Sequence, residues 1–380
     1  MSYGSLARGY NMTMDRKRWI IIWGVLALLV FAPPALLLFG RFERESARDR
    51  ENEAAFDQPA QMVESQVHRH YVPPGDKPGE IRKFGEGTLI RALVVSPNGR
   101  ELVAGSSDST LRTWSLDGQS STSYGGAYSE ISAIAYSRDG LRAVAGGNGL
   151  PMVWDFRNGQ VSYFNTGSHG PIACVAVAPN GATAATGSSQ RYIRIWNLQN
   201  LTEVGLIGQH DGGVIAIAYS LDGRRVYSAS DVGEMSVWEL KTGHNLTGRR
   251  HNMPWKSAAF SPDGKLLAAG GLDGIVRLYD ADNLGNLVRE MRAHQHFIDG
   301  VAFSPDGSRF VTVGGVELAL WETATGNKIS SLRLAKQQSV NGAVAILPTN
   351  RHVLFGGNGV SLVLMPDRTD GPTSRPTDAR

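Results

Sequence analysis

The sequence predicts an all-β chain, a seven-bladed β-propeller, preceded by a single N-terminal transmembrane α-helix. Three observations carry this prediction. A turn of the Ser-Pro-Asp-Gly type recurs seven times, an aromatic closes nearly every unit at the same step, and one uncharged run of 22 residues lies near the N-terminus. A period of about 40–45 residues with four short strands is the signature of propeller blades. The composition agrees: 45 of 380 residues are glycine, against a usual share of ~7%, and they follow no collagen period. A formal net charge of +3 makes no electrostatic case for nucleic acid. The single cysteine, Cys174, excludes an intrachain disulfide and any cysteine-rich metal site.

The elements follow in order. Residues 1–18 form a basic segment that ends in Arg16, Lys17 and Arg18. Residues 19–40 carry no charge; as a helix rising ~1.5 Å per residue they would cover a hydrocarbon core of ~30 Å. Trp19 and Trp23 stand near one end, where amphipathic rings favour the interface. Pro33 and Pro34 would kink or divide such a helix, which membrane spans tolerate. A cleaved signal peptide shares the basic start, but no clean small-residue cleavage site follows, and the charged stop after Gly40 suits a retained anchor. Lys and Arg counts on the two sides are tied, so orientation rests on the long C-terminal domain, which leans toward a non-cytosolic side. Residues 41–79 read as a charged, then proline-containing stalk. Residues 367–380 read as a polar, disordered tail.

Between stalk and tail, the repeat turns are Ser96-Pro97-Asn98-Gly99, Ser137-Arg138-Asp139-Gly140, Ala178-Pro179-Asn180-Gly181, Ser220-Leu221-Asp222-Gly223, Ser261-Pro262-Asp263-Gly264 and Ser304-Pro305-Asp306-Gly307. A degraded seventh is Leu347-Pro348-Thr349-Asn350. Proline presets φ, Asp or Asn bonds to the local backbone, and Gly or Asn accepts positive φ, so each reads as a tight hairpin. The closing aromatics Trp114, Trp154, Trp196, Trp238, Tyr279 and Trp321 keep the same step, with Leu364 in the seventh unit. Alternation such as Val311-Thr312-Val313 marks the period-two strands between them.

These units resemble the WD40 repeat family over roughly residues 80–366, best at 261–280 and 96–117. The resemblance implies that each repeat begins with the outer strand of the preceding blade. The seventh unit lacks a following outer strand, and residues 80–84 can supply it, closing the ring without an exposed sheet edge. The family also bonds a histidine before the first strand to a hydroxyl, an Asp and the closing Trp. His210, His251 and His294 occupy that histidine position, while His169 stands one residue out of register. Asp108 and Asp273 occupy the Asp position. No unit shows the complete set; the one holding His251, Asp273 and Tyr279 comes nearest but has Ala269 and Gly270 in place of the hydroxyl.

Little chemistry stands out. The glycines recur at turns instead of forming a phosphate loop, and no haem, zinc or nucleophile-elbow motif appears. His68 and His70 in the stalk and the blade histidines, spread over separate units, read as solvated or structural, so neither a metal nor a cofactor is expected. If the family's topology holds, the loops before the first strand and after the second share one rim. That rim would gather Arg191, Tyr192, Asp211, Arg249, Arg250, Trp255, Arg292, His296 and Phe297 into a basic, aromatic patch; Arg and aromatic side chains dominate interface hot spots. The resemblance implies a non-catalytic, membrane-anchored scaffold for protein partners of unknown identity. The alternative is a propeller that senses a small ligand or peptide at this patch; a propeller enzyme ranks below both.

Overall fold

The computed structural model describes residues 77–366, apart from residues 80, 119, 149, 165–169, 285 and 335–341. Every regular element among the described residues is a β-strand.

The turns form as their side chains dictate. In the best unit the Ser261 hydroxyl donates to Asp263 Oδ1 at 2.6 Å, and the amides of Lys265 and Leu266 donate to Asp263 and to Ser261 Oγ at 3.1 and 2.9 Å. The Gly264 amide then donates to the Ser261 carbonyl at 2.8 Å, with φ at 71°. Asn350 takes the same left-handed conformation in the degraded turn, at φ 61°.

These hairpins build five four-stranded antiparallel blades over residues 131–163, 172–209, 214–250, 255–292 and 300–333, each a meander of consecutive strands. A further sheet has six strands, in the order Val344–Ile346, His352–Leu364, Ile81–Val95, Glu101–Ser106, Leu111–Ser115 and Ser121–Tyr124. Its two long strands join what the sequence suggests are separate units. Ile81–Phe84 pair with Val360–Val363, Ile90–Val95 pair with Leu102–Ser106, and Leu89 pairs with Asn358 between them. The expected set of seven separate four-stranded blades is therefore corrected to five such blades and one joined sheet. At Gly359, φ is 99° and a Cβ would lie 1.9 Å from the Gly85 carbonyl oxygen, so the two loops approach as closely as glycine alone allows.

A second correction concerns the N-terminus. The expected helix at 19–40 lies outside the described residues, as do residues 1–18, residues 41–76 and the tail 367–380. Among the described residues, no helix is long and apolar enough to cross a membrane. The single-pass architecture and the membrane localisation drawn from it are withdrawn on that finding.

The innermost strand of each sheet touches that of the next around a closed ring, and Val344–Ile346 returns to Ile81–Val95. The joined sheet contributes two inner strands to the ring. The core lies between sheets. Ile193 and Ile195 of the 172–209 blade pack with Val226, Trp238 and Leu240 of the next, while Val276 and Leu278 pack with Phe310 and Trp321. Burying such side chains contributes about 1.5–3 kcal/mol each. Side-chain bonds also stitch the inner strands: the Ser132 hydroxyl donates to the Ile172 carbonyl at 2.8 Å and that of Ser257 to the Ile298 carbonyl at 3.1 Å.

One turn crosses between sheets. Asp306 accepts from the Ser304 hydroxyl at 2.7 Å, the Ser308 amide at 3.0 Å and the Asn350 side-chain amide at 2.6 Å. Partial burial pushes its carboxyl up, but these bonds outweigh burial and hold it at about 2. A carboxylate depressed by folding stabilises the native state above its unfolded pKa of ~3.9 and loses that contribution as pH falls through the folded value. Asp306→Asn is expected to cost about 1 kcal/mol near neutral pH, after discounting for solvent screening. The gap to the wild type should close between about pH 4 and about pH 2; urea unfolding across that range checks it.

Candidate functional site

The blade histidines brace one rim of the ring. In the 214–250 blade, the Trp238 indole donates to Ser228 Oγ at 2.8 Å, and His210 Nε2 lies 2.7 Å from the same hydroxyl. The Glu234 carboxylate only accepts, so His210 Nδ1, which faces it at 3.1 Å, carries the imidazole proton and Nε2 accepts from the Ser228 hydroxyl. Burial pushes the His210 pKa down, against the pull of Glu234. The 300–333 blade repeats the arrangement: Trp321 donates to Thr312 Oγ1 at 2.9 Å, His294 Nε2 lies 2.9 Å from that oxygen, and Glu317 stands 3.6 Å from His294 Nδ1. In the 172–209 blade, Trp196 donates to Thr186 at 2.8 Å.

Where that set is incomplete, an arginine two residues before the aromatic takes over. Arg277 bonds Asp273 at 2.8 Å and Glu290 at 3.1 Å. Arg112 bonds Asp108 at 2.6 Å, and Asp108 also accepts from Ser106 and Thr110. Partial burial pushes the Asp108 carboxyl up, yet these bonds hold it at about 2. Arg194 pairs with Glu203. Asp108 and Asp273 thus serve arginines, and the carboxylates facing the histidines are Glu234 and Glu317. A search confined to Asp in the turn misses them, because they stand four residues before the tryptophan on the third strand. His251 has no hydroxyl partner; it packs between Tyr279 and Trp255 at ring distances of 4.2 and 5.6 Å. Trp154 is buried, and Trp114 is half-buried.

The rim residues separate into three groups. Arg191, Arg249, Arg292 and His296 are exposed. Asp211 and Arg250 are exposed as well but pair with each other at 3.1 Å, and the Asp211 amide donates to Glu234 at 2.9 Å. Tyr192 is half-buried beneath Arg194, whose guanidinium stands 5.7 Å from the ring. Phe297 is 42% exposed and carries the Lys256 ammonium 3.6 Å from its ring, while Lys256 also pairs with Asp299 at 2.8 Å. Trp255 does not belong to the rim: at 2% exposure it packs in the core with Tyr279 and Met235. His169 lies outside the described residues.

Arg191 has a left-handed backbone, with φ of 80°, at the turn position where Ser109 has 64° and Gly233 and Gly274 have 80° and 74°. A non-glycine residue there costs roughly 1–2 kcal/mol, and such strain concentrates at functional sites. The Arg191 carbonyl accepts from the His210 amide at 3.0 Å, which ties this turn to the braced histidine.

Comparison with known proteins agrees with the repeat. The model of the "WD domain, G-beta repeat" matches residues 80–115, 160–197, 242–280 and 285–315. A guanine nucleotide-binding protein subunit beta of Zea mays is 30% identical over 130 residues, covering 32% of this chain and 34% of that protein. One from Lymnaea stagnalis is 31% identical over 130 residues, covering 32% and 37%. The chain thus matches about a third of the length of these relatives. The crystal structure of the Cps50 (Swd1) β-propeller domain of Myceliophteria thermophila superposes with a TM-score of 0.68 at 17% identity. It covers 76% of this chain and 100% of its own; at that identity the likeness concerns fold alone.

Two substitutions separate bracing from recognition. Ser228→Ala removes the shared partner of His210 and Trp238 and is expected to cost about 1–3 kcal/mol, read as a lower urea midpoint with an unchanged slope. Arg191→Gly relieves the left-handed strain and is expected to raise stability by about 0.5–1 kcal/mol. If Arg191 serves binding, the same variant loses partner affinity while its melting temperature rises.

Proposed function

Because this chain belongs to the WD40 repeat family, we propose that it works as a non-catalytic scaffold holding protein partners against one rim of its propeller. The observation that carries this reading is the set of guanidinium groups at Arg191, Arg249 and Arg292, exposed and without a side-chain partner among the described residues. Other arginines meet carboxylates, as at Arg112, Arg142, Arg194 and Arg277, while Arg100, Arg138, Arg224 and Arg333 are exposed without a bonded one among the described residues. What sets Arg191, Arg249 and Arg292 apart is that they share a rim with an exposed aromatic ring. Unpaired arginines beside an exposed aromatic ring suit a surface that completes its interactions with another molecule. Tyr192, Asp211, Arg250, His296 and Phe297 extend this surface, and Trp255 supports it from beneath.

A chemical role has less behind it. The Cys174 thiol is turned toward the carbonyls of Gly187 and Val214, at 3.9 and 3.7 Å. Burial pushes it up to about 12, far from the range of a reactive thiolate. The matched relatives are by name subunits of guanine nucleotide-binding proteins, which is the setting of a scaffold within an assembly.

Cross-linking and affinity isolation from the native cells, with the full chain and with an Arg249→Glu/Arg250→Glu variant, tests this reading. A discrete set of proteins recovered with the wild type and lost from an equally stable variant is the expected result. An unchanged set would place the binding face elsewhere, and no specific partner in either preparation would overturn the scaffold reading.

A further inference from the structure

Three exposed apolar side chains lie along the rim of the 214–250 and 255–292 blades. Met253, Leu272 and Phe297 are 36%, 53% and 42% exposed. All three flank one junction: Trp255 pairs with Gly271, and the Ile298 amide donates to the Gly271 carbonyl at 3.2 Å. Met253 lies two residues before Trp255, Leu272 directly follows Gly271, and Phe297 directly precedes Ile298. Beside the junction opens a surface cleft of about 350 Å³, lined by Val232, Arg250, His251, Asn252 and Pro254. That volume is at the lower end for bound organic groups.

Charge of both signs surrounds this spot: Asp231 is exposed, Asp299 holds Lys256, and Asp273 and Glu290 hold Arg277, while the cations left unpaired are Arg249 and Arg292. Arg249, next to last in its outer strand, and Arg292, last in that of the adjoining blade, have no side-chain partner among the described residues. Lys256 is used by Asp299 and the Phe297 ring. Arg250 is held by Asp211 across 3.1 Å, with side chains 58% and 72% exposed. A pair this open to solvent contributes little, so a second carboxylate can displace Asp211 at little cost.

We propose that the rim of the 214–250 and 255–292 blades takes a short peptide segment of a partner protein that pairs an acidic side chain with a large apolar one. The carboxylate meets Arg249 and Arg250, and the apolar side chain covers Met253, Leu272 and Phe297. Asp211 holds the position of the incoming carboxylate on Arg250 until the peptide arrives. This inference rests on the scaffold reading and adds to it the chemistry of the segment recognised. Shielding the apolar group from water supplies binding, while the charge pairing fixes direction along the rim and speeds encounter.

Selection of random dodecapeptides displayed on phage, with the full chain as bait, tests it. Enriched sequences should place Asp or Glu within a few residues of Leu, Met, Phe or Trp. The strongest, made as a fluorescein-labelled peptide, should lose at least tenfold in affinity with Arg249→Glu and with Leu272→Asp, and gain severalfold with Asp211→Asn. The gain cannot come from a variant that fails to fold. Absence of enrichment, enrichment without acidic residues, or affinity indifferent to all three variants would overturn the proposal. If native partners are still lost from Arg249→Glu/Arg250→Glu while this selection fails, the scaffold reading stands and only the peptide chemistry falls.

Discussion

The pairing of Ile81–Phe84 with Val360–Val363 is the contact on which the rest depends. It joins residues almost three hundred positions apart and turns a row of sheets into a ring. Without it, the His352–Leu364 strand would present an unpaired edge, and the apolar faces packed around Phe84, Leu354, Val360 and Leu362 would meet water. Such a contact is costly in loop-closure entropy, which rises only slowly with length. It repays that cost because closure lets every sheet bury both faces.

Closure alone does not fix the rim. The polar bonds just inside it do, and they come in two forms. Two blades use a histidine, a hydroxyl and a tryptophan, with a glutamate behind the imidazole. Two other blades and the joined sheet place an arginine two residues before the aromatic and satisfy it with a carboxylate from the turn or the outer strand. Ser236 and Ala319 stand at the arginine position in the histidine blades, so neither of those blades carries both forms. Either form ties the loops to the strands beneath, and a loop held in place binds with less ordering cost.

Much of the fold was legible because its turns repeat. Pro, Asp and Gly have narrow conformational uses, and six near-identical hairpins left little choice of secondary structure. The joined sheet was not legible, since its cause is the close approach of Gly359 to Gly85 across the whole chain. The bracing glutamates escaped notice for a local reason: Glu234 and Glu317 reach their histidines from a strand where alternation suggests solvent. At the rim, the sequence groups basic residues with Trp255, but Trp255 is buried, because a loop-proximal tryptophan can point inward as readily as outward. Met253 and Leu272 carry no sequence signal that separates them from core residues. Only their exposure reveals them.

A closed ring with a braced rim has one direct physical consequence, which is uniform protection of its backbone amides. Native-state hydrogen exchange on the full chain measures it, because local openings appear separately from global unfolding. The amides of Ile81–Phe84 and Val360–Val363 are predicted to exchange in the same slow class as the inner strands, through global unfolding alone. Exchange of that pair by a low-energy local opening, with the five four-stranded blades still protected, would show that the ring does not depend on this contact and would contradict the account.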